Sequence, residues 1–313
     1  MMKIGCDLIR DLTIYKIPQN YFDGLNKDIG VVLVDPNKLP PFDILEGIEI
    51  YFGDRINLNI ISKMPNLKWI HLTSVGVDKL IGLDREDIII TNSKGIMDES
   101  IISTILAFIF SLSRGIHYCL SLKNKIDRYS FDKYIDKIQD INGQTCLIVG
   151  MGNIGNKLKF ICEALNMKVI GIRKNKFGNN IFTLNELKDI VNKADYVINL
   201  LPYTNQTDKI FNIKIFKKMK STSFFINVGR GKTVVEKDLI WALKNNKIAG
   251  AGLDVFEKEP LSKNSPLRKL NNTIITPHIA GYSNKFWKGQ RALFSTNLER
   301  FINSEKMLNN VKL

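Results

Sequence analysis

Short runs of β-branched and aliphatic residues alternate with longer amphipathic stretches along most of the chain. Up to about Lys94, the runs Val31 to Val34, Ile48 to Phe52, Leu67 to Leu72 and Ile88 to Thr91 predict strands. Leu58 to Met64 predicts a helix between two of them. Such alternation points to parallel strands joined by crossover helices. A long helix is expected at about Asp98 to Ser113. It is followed by a polar connection, Leu122 to Asn142, that carries Lys123, Lys125, Asp127, Arg128 and Asp132. A second alternation begins at Gln144. Its strand runs are Thr145 to Val149, Lys168 to Ile172, Tyr196 to Leu200, Ser223 to Val228, Gly250 to Val255 and Thr273 to Thr276. Helical patterns at Ile154 to Leu165, Leu184 to Lys193, Ile213 to Met219 and Glu236 to Asn245 separate most of these runs, and a last helix is expected at Phe286 to Phe301. Six strands with intervening helices is the strand count of a doubly wound dinucleotide fold.

Length and composition narrow this picture without changing it. A chain of 313 residues suggests two domains, and 44% hydrophobic with 24% charged residues is ordinary for a folded soluble protein. Met1 to Arg10 has no secretion-signal pattern. Ile101 to Leu112, the longest apolar stretch, is interrupted by Ser103, Thr104 and Ser111 and is short of the roughly 20 residues of a membrane span. The cysteines Cys6, Cys119, Cys146 and Cys162 have no C-x-x-C spacing, which indicates neither zinc nor a redox pair and suits a cytoplasmic protein. A net charge of +14 raises the question of nucleic acid. The lysines are scattered through a chain also rich in Ile and Asn, so they read as compositional bias and not as a binding patch.

The first chemical motif is Gly150-Met151-Gly152-Asn153-Ile154-Gly155, at the end of a predicted strand and the start of a predicted helix. In G-x-G-x-x-G the first glycine permits a tight turn, the second lets backbone approach a pyrophosphate, and the third allows close packing of helix on strand. The helix N-terminus then offers free amides to phosphate. An acid about 20 residues further on usually binds the adenosine ribose in NAD-specific folds. Here the second strand ends in Arg173-Lys174-Asn175, with no acid before Glu186. A guanidinium can pair with a ribose phosphate, so NADP is expected with NAD possible; the alternative is a solvated basic turn.

Hydride transfer to a 2-oxo acid needs a cation for the carboxylate and a proton donor for the nascent alkoxide. Histidine suits the second task. His71 lies in an apolar strand and His117 just after a buried helix, so both read as structural. His278 follows a strand, where loops of an α/β sheet gather ligands.

Asn227-Val228-Gly229-Arg230-Gly231, Gly252-Leu253-Asp254-Val255-Phe256-Glu257-Lys258-Glu259-Pro260 and Pro277-His278 resemble, in order and interval, the arginine, acidic and histidine motifs of the D-isomer-specific 2-hydroxyacid dehydrogenases. The resemblance covers nearly the whole chain. It implies that Arg230 binds the substrate carboxylate, that His278 is the acid/base, and that Glu259 hydrogen-bonds to His278 and raises its pKa; Glu257 is the weaker candidate. Thr73-Ser74-Val75-Gly76-Val77-Asp78 resembles the loop whose amides hold the carboxylate, which implicates Ser74, Val75 and Gly76. Asn199-Leu200-Leu201-Pro202 resembles the segment lining the cofactor, and Thr91 to Gly95 the lead into the interdomain helix. Implied cofactor contacts are Gly150, Gly152, Asn153, Ile154, Gly155, Arg173, Lys174, Leu201, Pro202, Val228, Gly229, Arg230, Asp254, His278, Ala280 and Gly281. One departure is Ile102-Ser103-Thr104, where the family often has Ala-Glu-His; it bears on local helix packing and the dimer contact.

The resemblance implies an α/β architecture. A Rossmann NAD(P)-binding domain, 95–285, is inserted into a discontinuous flavodoxin-like substrate domain, 1–94 and 286–313, with the active site in the cleft between them. It also implies a homodimer, a small 2-oxo or 2-hydroxy acid substrate, no membrane partner and no metal. Glyoxylate/hydroxypyruvate reductase-like activity is the leading reading. The alternatives are 3-phosphoglycerate dehydrogenase, weakened by the missing ribose acid and by the chain ending at Leu313 without a regulatory domain, and a cofactor-sensing corepressor-like protein.

Overall fold

The computed structural model describes residues 2–8, 17–18, 20–25, 29–121, 135–176 and 178–312. Residues 122–134 of the expected polar connection, with Lys123, Lys125, Asp127, Arg128 and Asp132, lie outside the described residues. The chain divides into two compact units, Met1–Met97 with Tyr282–Leu313, and Asp98–Gly281. No helix among the described residues is long and apolar enough to cross a membrane.

The smaller unit holds a parallel sheet of order β2-β1-β3-β4-β5, built from β1 (Met2–Cys6), β2 (Ile29–Leu33), β3 (Ile48–Gly53), β4 (Trp69–Leu72) and β5 (Ile89–Thr91). This is the flavodoxin-like strand order. The strand expectations hold for the last four, but β1 is not among the predicted runs: Lys3 and Gly5 interrupt its apolar pattern, although it lies between β2 and β3. The helix expected over Leu58 to Met64 is shorter, Leu58–Ile61, because Pro65 follows closely.

The larger unit holds a parallel sheet of order β12-β11-β10-β9-β6-β7-β8. Its strands are β6 (Thr145–Val149), β7 (Lys168–Ile172), β8 (Ile181–Phe182), β9 (Tyr196–Asn199), β10 (Phe224–Asn227), β11 (Gly250–Leu253) and β12 (Thr273–Ile275). The expected six strands are present. The seventh, β8, is two residues long and has no periodicity to betray it. The order places the reversal of the winding between β6 and β9, the ligand position in doubly wound sheets. Leu184 to Lys193 is not one helix but a single α turn, Leu187–Ile190, flanked by 3-10 segments.

Both faces of this sheet are buried, which accounts for its unbroken apolar runs. Leu147, Val149, Val197, Phe225 and Leu253 pack to one side, while Cys146, Ile148, Tyr196, Ile198, Phe224 and Ile226 pack to the other. Helix Asp98–Ser113 covers the second side with Ile102, Ile105, Phe108, Ile109 and Leu112, residues spaced at helical period. It approaches β11 closely because Gly252 has no side chain: a Cβ there would lie 2.6 Å from the ring of Phe108. Gly252→Ala is expected to cost about 1–3 kcal/mol of unfolding free energy by urea denaturation. Combined with Phe108→Leu it should cost less than the sum of the two single changes; strict additivity would show that the ring is not the obstacle.

Candidate active site

Strand β6 runs into the glycine loop. Gly150 has φ 118°, and a Cβ on it would meet the Leu200 carbonyl carbon at 3.0 Å. The loop is pinned to β7, since the amides of Gly150 and Met151 both donate to the Ile172 carbonyl, at 3.0 and 2.8 Å. A Cβ on Gly155 would lie 2.4 Å from the Gly150 carbonyl oxygen, so only glycine lets the helix Asn153–Ala164 start this close. At Gly152, by contrast, a Cβ would meet nothing within 4 Å. The first amides of that helix, Asn153, Ile154 and Gly155, have no intrahelical acceptor, and Gly152 supplies no side-chain cap. Open space beside bare amides at a positive helix end suits a pyrophosphate. The side chain of Asn153 is committed elsewhere, donating to the Asp98 carboxylate. Lys157 also holds Asp98, at 3.1 Å, and Glu99, at 3.0 Å.

The neighbouring strand ends are tied by a buried polar network that joins Asn199 and Asn227, the first residues of two sequence motifs, to Thr233, which no motif contains. Asn199 Nδ2 donates to Asn227 Oδ1 at 2.9 Å and to Thr233 Oγ1 at 2.7 Å, and Asn199 Oδ1 accepts from the Leu201 amide at 3.1 Å. Asn227 Oδ1 also accepts from the Gly229 amide, and the Thr233 hydroxyl donates to the Arg230 carbonyl at 2.6 Å. The turn carrying Arg230 is thereby fixed to the ends of β9 and β10. The Arg230 guanidinium donates to the Gly229 carbonyl at 2.8 Å. Leu201, Val228 and Ala280 are buried, at 8%, 8% and 3% exposure, so they offer a ligand little beyond backbone. Pro202 is exposed.

His278 Nδ1 lies 2.6 Å from Glu259 Oε2, and Glu259 Oε1 accepts from the Phe256 amide at 3.0 Å. The side chains keep 48% and 34% of their exposure, so the pair opens to solvent. Burial pushes the Glu259 carboxyl up, but His278, the Phe256 amide and the charge of Arg230 outweigh it and hold the group below its ordinary value. A depressed carboxylate contributes stability at neutral pH, and that contribution is lost as pH falls through the depressed titration. With Nδ1 facing a carboxylate, Nε2 is left as the ring atom that can exchange a proton with a ligand. Glu257 is exposed; its amide faces Glu236 at 3.3 Å and its side chain takes no part in the pair.

His278 itself has φ 56°, a left-handed conformation that costs a non-glycine residue of order 1–3 kcal/mol and must be imposed by its surroundings. Asp254 imposes it. Its carbonyl accepts from the His278 amide at 2.8 Å, and its carboxylate accepts from the Thr276 hydroxyl at 2.6 Å and from the amides of Ile279 and Ala280 at 2.8 and 3.0 Å. Asp254 was expected among the cofactor contacts; at 1% exposure with both oxygens engaged, its side chain is spent on the histidine loop. The departure at Ile102-Ser103-Thr104 serves the same loop, since the Thr104 hydroxyl reaches the Ala280 carbonyl at 3.4 Å. His71 and His117 are structural, as expected. Burial pushes the His71 imidazole down to about 3, its Nδ1 meets Thr91 Oγ1 at 2.8 Å, and His117 Nδ1 sits 3.1 Å from the Ser111 carbonyl.

In the smaller unit, the carbonyls of the loop after β4 all turn inward. Leu72 and Thr73 accept from Ser93 Oγ and Gln290 Nε2, both at 2.8 Å; Ser74 accepts from the Ser93 amide at 3.0 Å and Val75 from Asn92 Nδ2 at 2.8 Å. The Ser74 amide is taken by the Asp54 carboxylate at 2.9 Å. No acceptor among the described residues faces the amides of Val75 and Gly76.

Residues 106–280 match the family described as D-isomer specific 2-hydroxyacid dehydrogenase, NAD binding domain. A probable 2-ketogluconate reductase of Dictyostelium discoideum is 33% identical over 239 residues, covering 72% of this chain and 70% of that one. The chain belongs to the D-isomer-specific 2-hydroxyacid dehydrogenases. Glyoxylate/hydroxypyruvate reductase B of Escherichia coli K12 is 31% identical over 256 residues, covering 79% of this chain and 78% of that one. A family protein from Aeromonas salmonicida has a similar structure, with a TM-score of 0.81, 25% identity and 99% of each chain covered. The protein is thus an NAD(P)-dependent oxidoreductase of this family.

In this dehydrogenase, His278→Ala is expected to lower turnover by roughly a hundred- to ten-thousandfold, with dinucleotide affinity nearly unchanged by fluorescence titration. Glu259→Gln should lower turnover in the same direction, because an amide cannot match a carboxylate as partner to Nδ1–H. Wild-type rates in a folded His278→Ala protein would remove His278 from the chemistry.

Proposed function

We propose that this dehydrogenase reduces glyoxylate, hydroxypyruvate or a similar small 2-oxo acid, with NADPH preferred over NADH. The observation that carries the reading is the His278–Glu259 hydrogen bond at 2.6 Å, in the same unit as Arg230 and the glycine loop. The names of the relatives support the substrate class, since glyoxylate, hydroxypyruvate and 2-ketogluconate are all 2-oxo acids. The bound nicotinamide supplies the hydride. Arg230 pairs with the substrate carboxylate and polarises the adjacent carbonyl, and the amides of Val75 and Gly76 supply further donors to a carboxylate. His278 Nε2 gives its proton to the carbonyl oxygen as it becomes a hydroxyl and recovers it in the reverse direction. Glu259 stays ionised and keeps the ring oriented.

The amides of Asn153, Ile154 and Gly155 hold the pyrophosphate. Arg173 and Lys174 are exposed at the end of β7, and among the described residues no carboxylate pairs with either, whereas Lys176 is tied to Glu186 at 3.3 Å. That supports a ribose phosphate at Arg173 and Lys174. Exposed Phe110, Leu120 and Phe160 on the larger unit support homodimerisation, and the unpaired cysteines suit the reducing cytoplasm.

Turnover of NADPH against a panel of 2-oxo acids tests the whole reading; binding of NADPH without turnover of any of them would overturn it. Arg230→Lys should impair both substrate affinity and turnover, since a point ammonium cannot reproduce the planar fork. Arg173→Asp should reverse a preference for NADPH, changing relative affinity by about ten- to a hundredfold, as expected for one charge-assisted hydrogen bond. Equal affinities in the wild-type protein would reduce Arg173 and Lys174 to a solvated turn.

A further inference from the structure

Asp54, at the end of β3, stands where the carboxylate-binding loop proposed above is shaped. Oδ1 accepts from the Ser74 amide at 2.9 Å, and Oδ2 accepts from the Thr73 hydroxyl. Two consecutive residues of the loop are therefore clamped by one carboxylate. Asp54 is in turn fixed from behind. Its amide donates to Asp7 Oδ1 at 3.2 Å, and its carbonyl accepts from Lys79 Nζ at 2.7 Å. Asp7 is 2% exposed and also accepts from the Tyr51 hydroxyl at 2.8 Å and from the Arg55 amide. Gly53 makes this arrangement possible, because a Cβ there would lie 2.1 Å from Asp7 Oδ1.

We infer that Asp54 is a positioning residue for substrate binding, fixing the Thr73–Ser74 peptide so that the open amides of the loop are those of Val75 and Gly76. The carbonyls from Leu72 to Val75 are consumed inside the unit, which leaves the loop only amides to offer a ligand. Of these, Ser74 is removed by Asp54, and two successive donors remain, matching the two oxygens of a carboxylate. Without the clamp, the Thr73–Ser74 peptide and the Thr73 hydroxyl lose the acceptors that fix them, so the loop gains alternative arrangements and must be ordered when a carboxylate binds, which weakens binding. The inference rests on the proposed role of this loop.

The test uses the full-length protein with NADPH, glyoxylate as substrate and oxamate as a non-reducible analogue. Asp54→Ala is expected to raise the KM for glyoxylate about tenfold and to weaken oxamate inhibition in parallel, the cost of ordering the freed loop on binding. kcat and the Kd for NADPH should stay within about twofold. Asp54→Asn keeps an acceptor for the Ser74 amide and should return KM close to wild type, a rescue that general destabilisation would not produce. If Asp54→Ala does not fold, Thr73→Val removes half the clamp and should show the same pattern, more weakly. An unchanged KM in both variants, or a loss shared by NADPH affinity, overturns the inference. Gly76→Pro, which deletes one open amide, separates the role of the loop from the role of Asp54. If it leaves KM unchanged, the loop is not the carboxylate site and both readings fall. If it raises KM while Asp54→Ala does not, only the role of Asp54 falls.

Discussion

The loop that carries His278 depends on one buried carboxylate whose oxygens are both engaged by the protein itself. Asp254 is the residue after β11, and its oxygens collect a hydroxyl and two amides from Thr276 to Ala280. A buried ion is costly unless its lone pairs are filled, and here they are filled by the segment that carries the histidine. The strain at His278 is held by these bonds. They set the ring within 2.6 Å of Glu259, which orders Nδ1 and leaves Nε2 outward. The backbone bonds from Thr276 to Leu253 and from His278 to Thr276 add to this hold on a histidine at φ 56°.

The same economy appears at the ends of β9 and β10. Asn199 and Asn227 are each the last residue of a strand, at 0% and 1% exposure, and Asn199 donates both to Asn227 and to Thr233. Parallel strands leave polar groups unpaired where the ladder stops, and these amides satisfy them while shaping the turns that carry Leu201 and Arg230. The turns that carry Leu201 and Arg230 are thus held in place by internal hydrogen bonding.

Most of the architecture is legible in the sequence because both faces of the larger sheet and of the central strands of the smaller one are buried. Short apolar runs such as Cys146 to Val149 and Phe224 to Ile226, bounded by polar residues, suit a strand covered on both sides and little else. What escapes are strands whose membership is decided by neighbours: β1, with Lys3 and Gly5 in its run, and β8, with two residues. At the site, spacing exposes the glycine loop, and motif order exposes Arg230, Glu259 and His278. The supporting residues are hidden for a physical reason. Thr233, Gln290 and Asp54 act through hydrogen bonds to residues distant in sequence, so no local pattern marks them. Asp254 is visible in its motif while its role is not, since a conspicuous acid resembles a ligand contact until the donors around it are accounted for.

The larger sheet ends on short strands at both sides, Thr273–Ile275 and Ile181–Phe182. An edge of two or three residues presents few unpaired amides and carbonyls to another chain, so this sheet resists extension by strand addition. Among the described residues, the smaller sheet is less protected on the β2 side. That edge strand is five residues long and exposes Val31 and Leu33 at 41% and 46%. Any self-association by strand pairing would therefore start at β2, far along the chain from the glycine loop and the histidine, and would be a hazard of folding and storage, separate from catalysis.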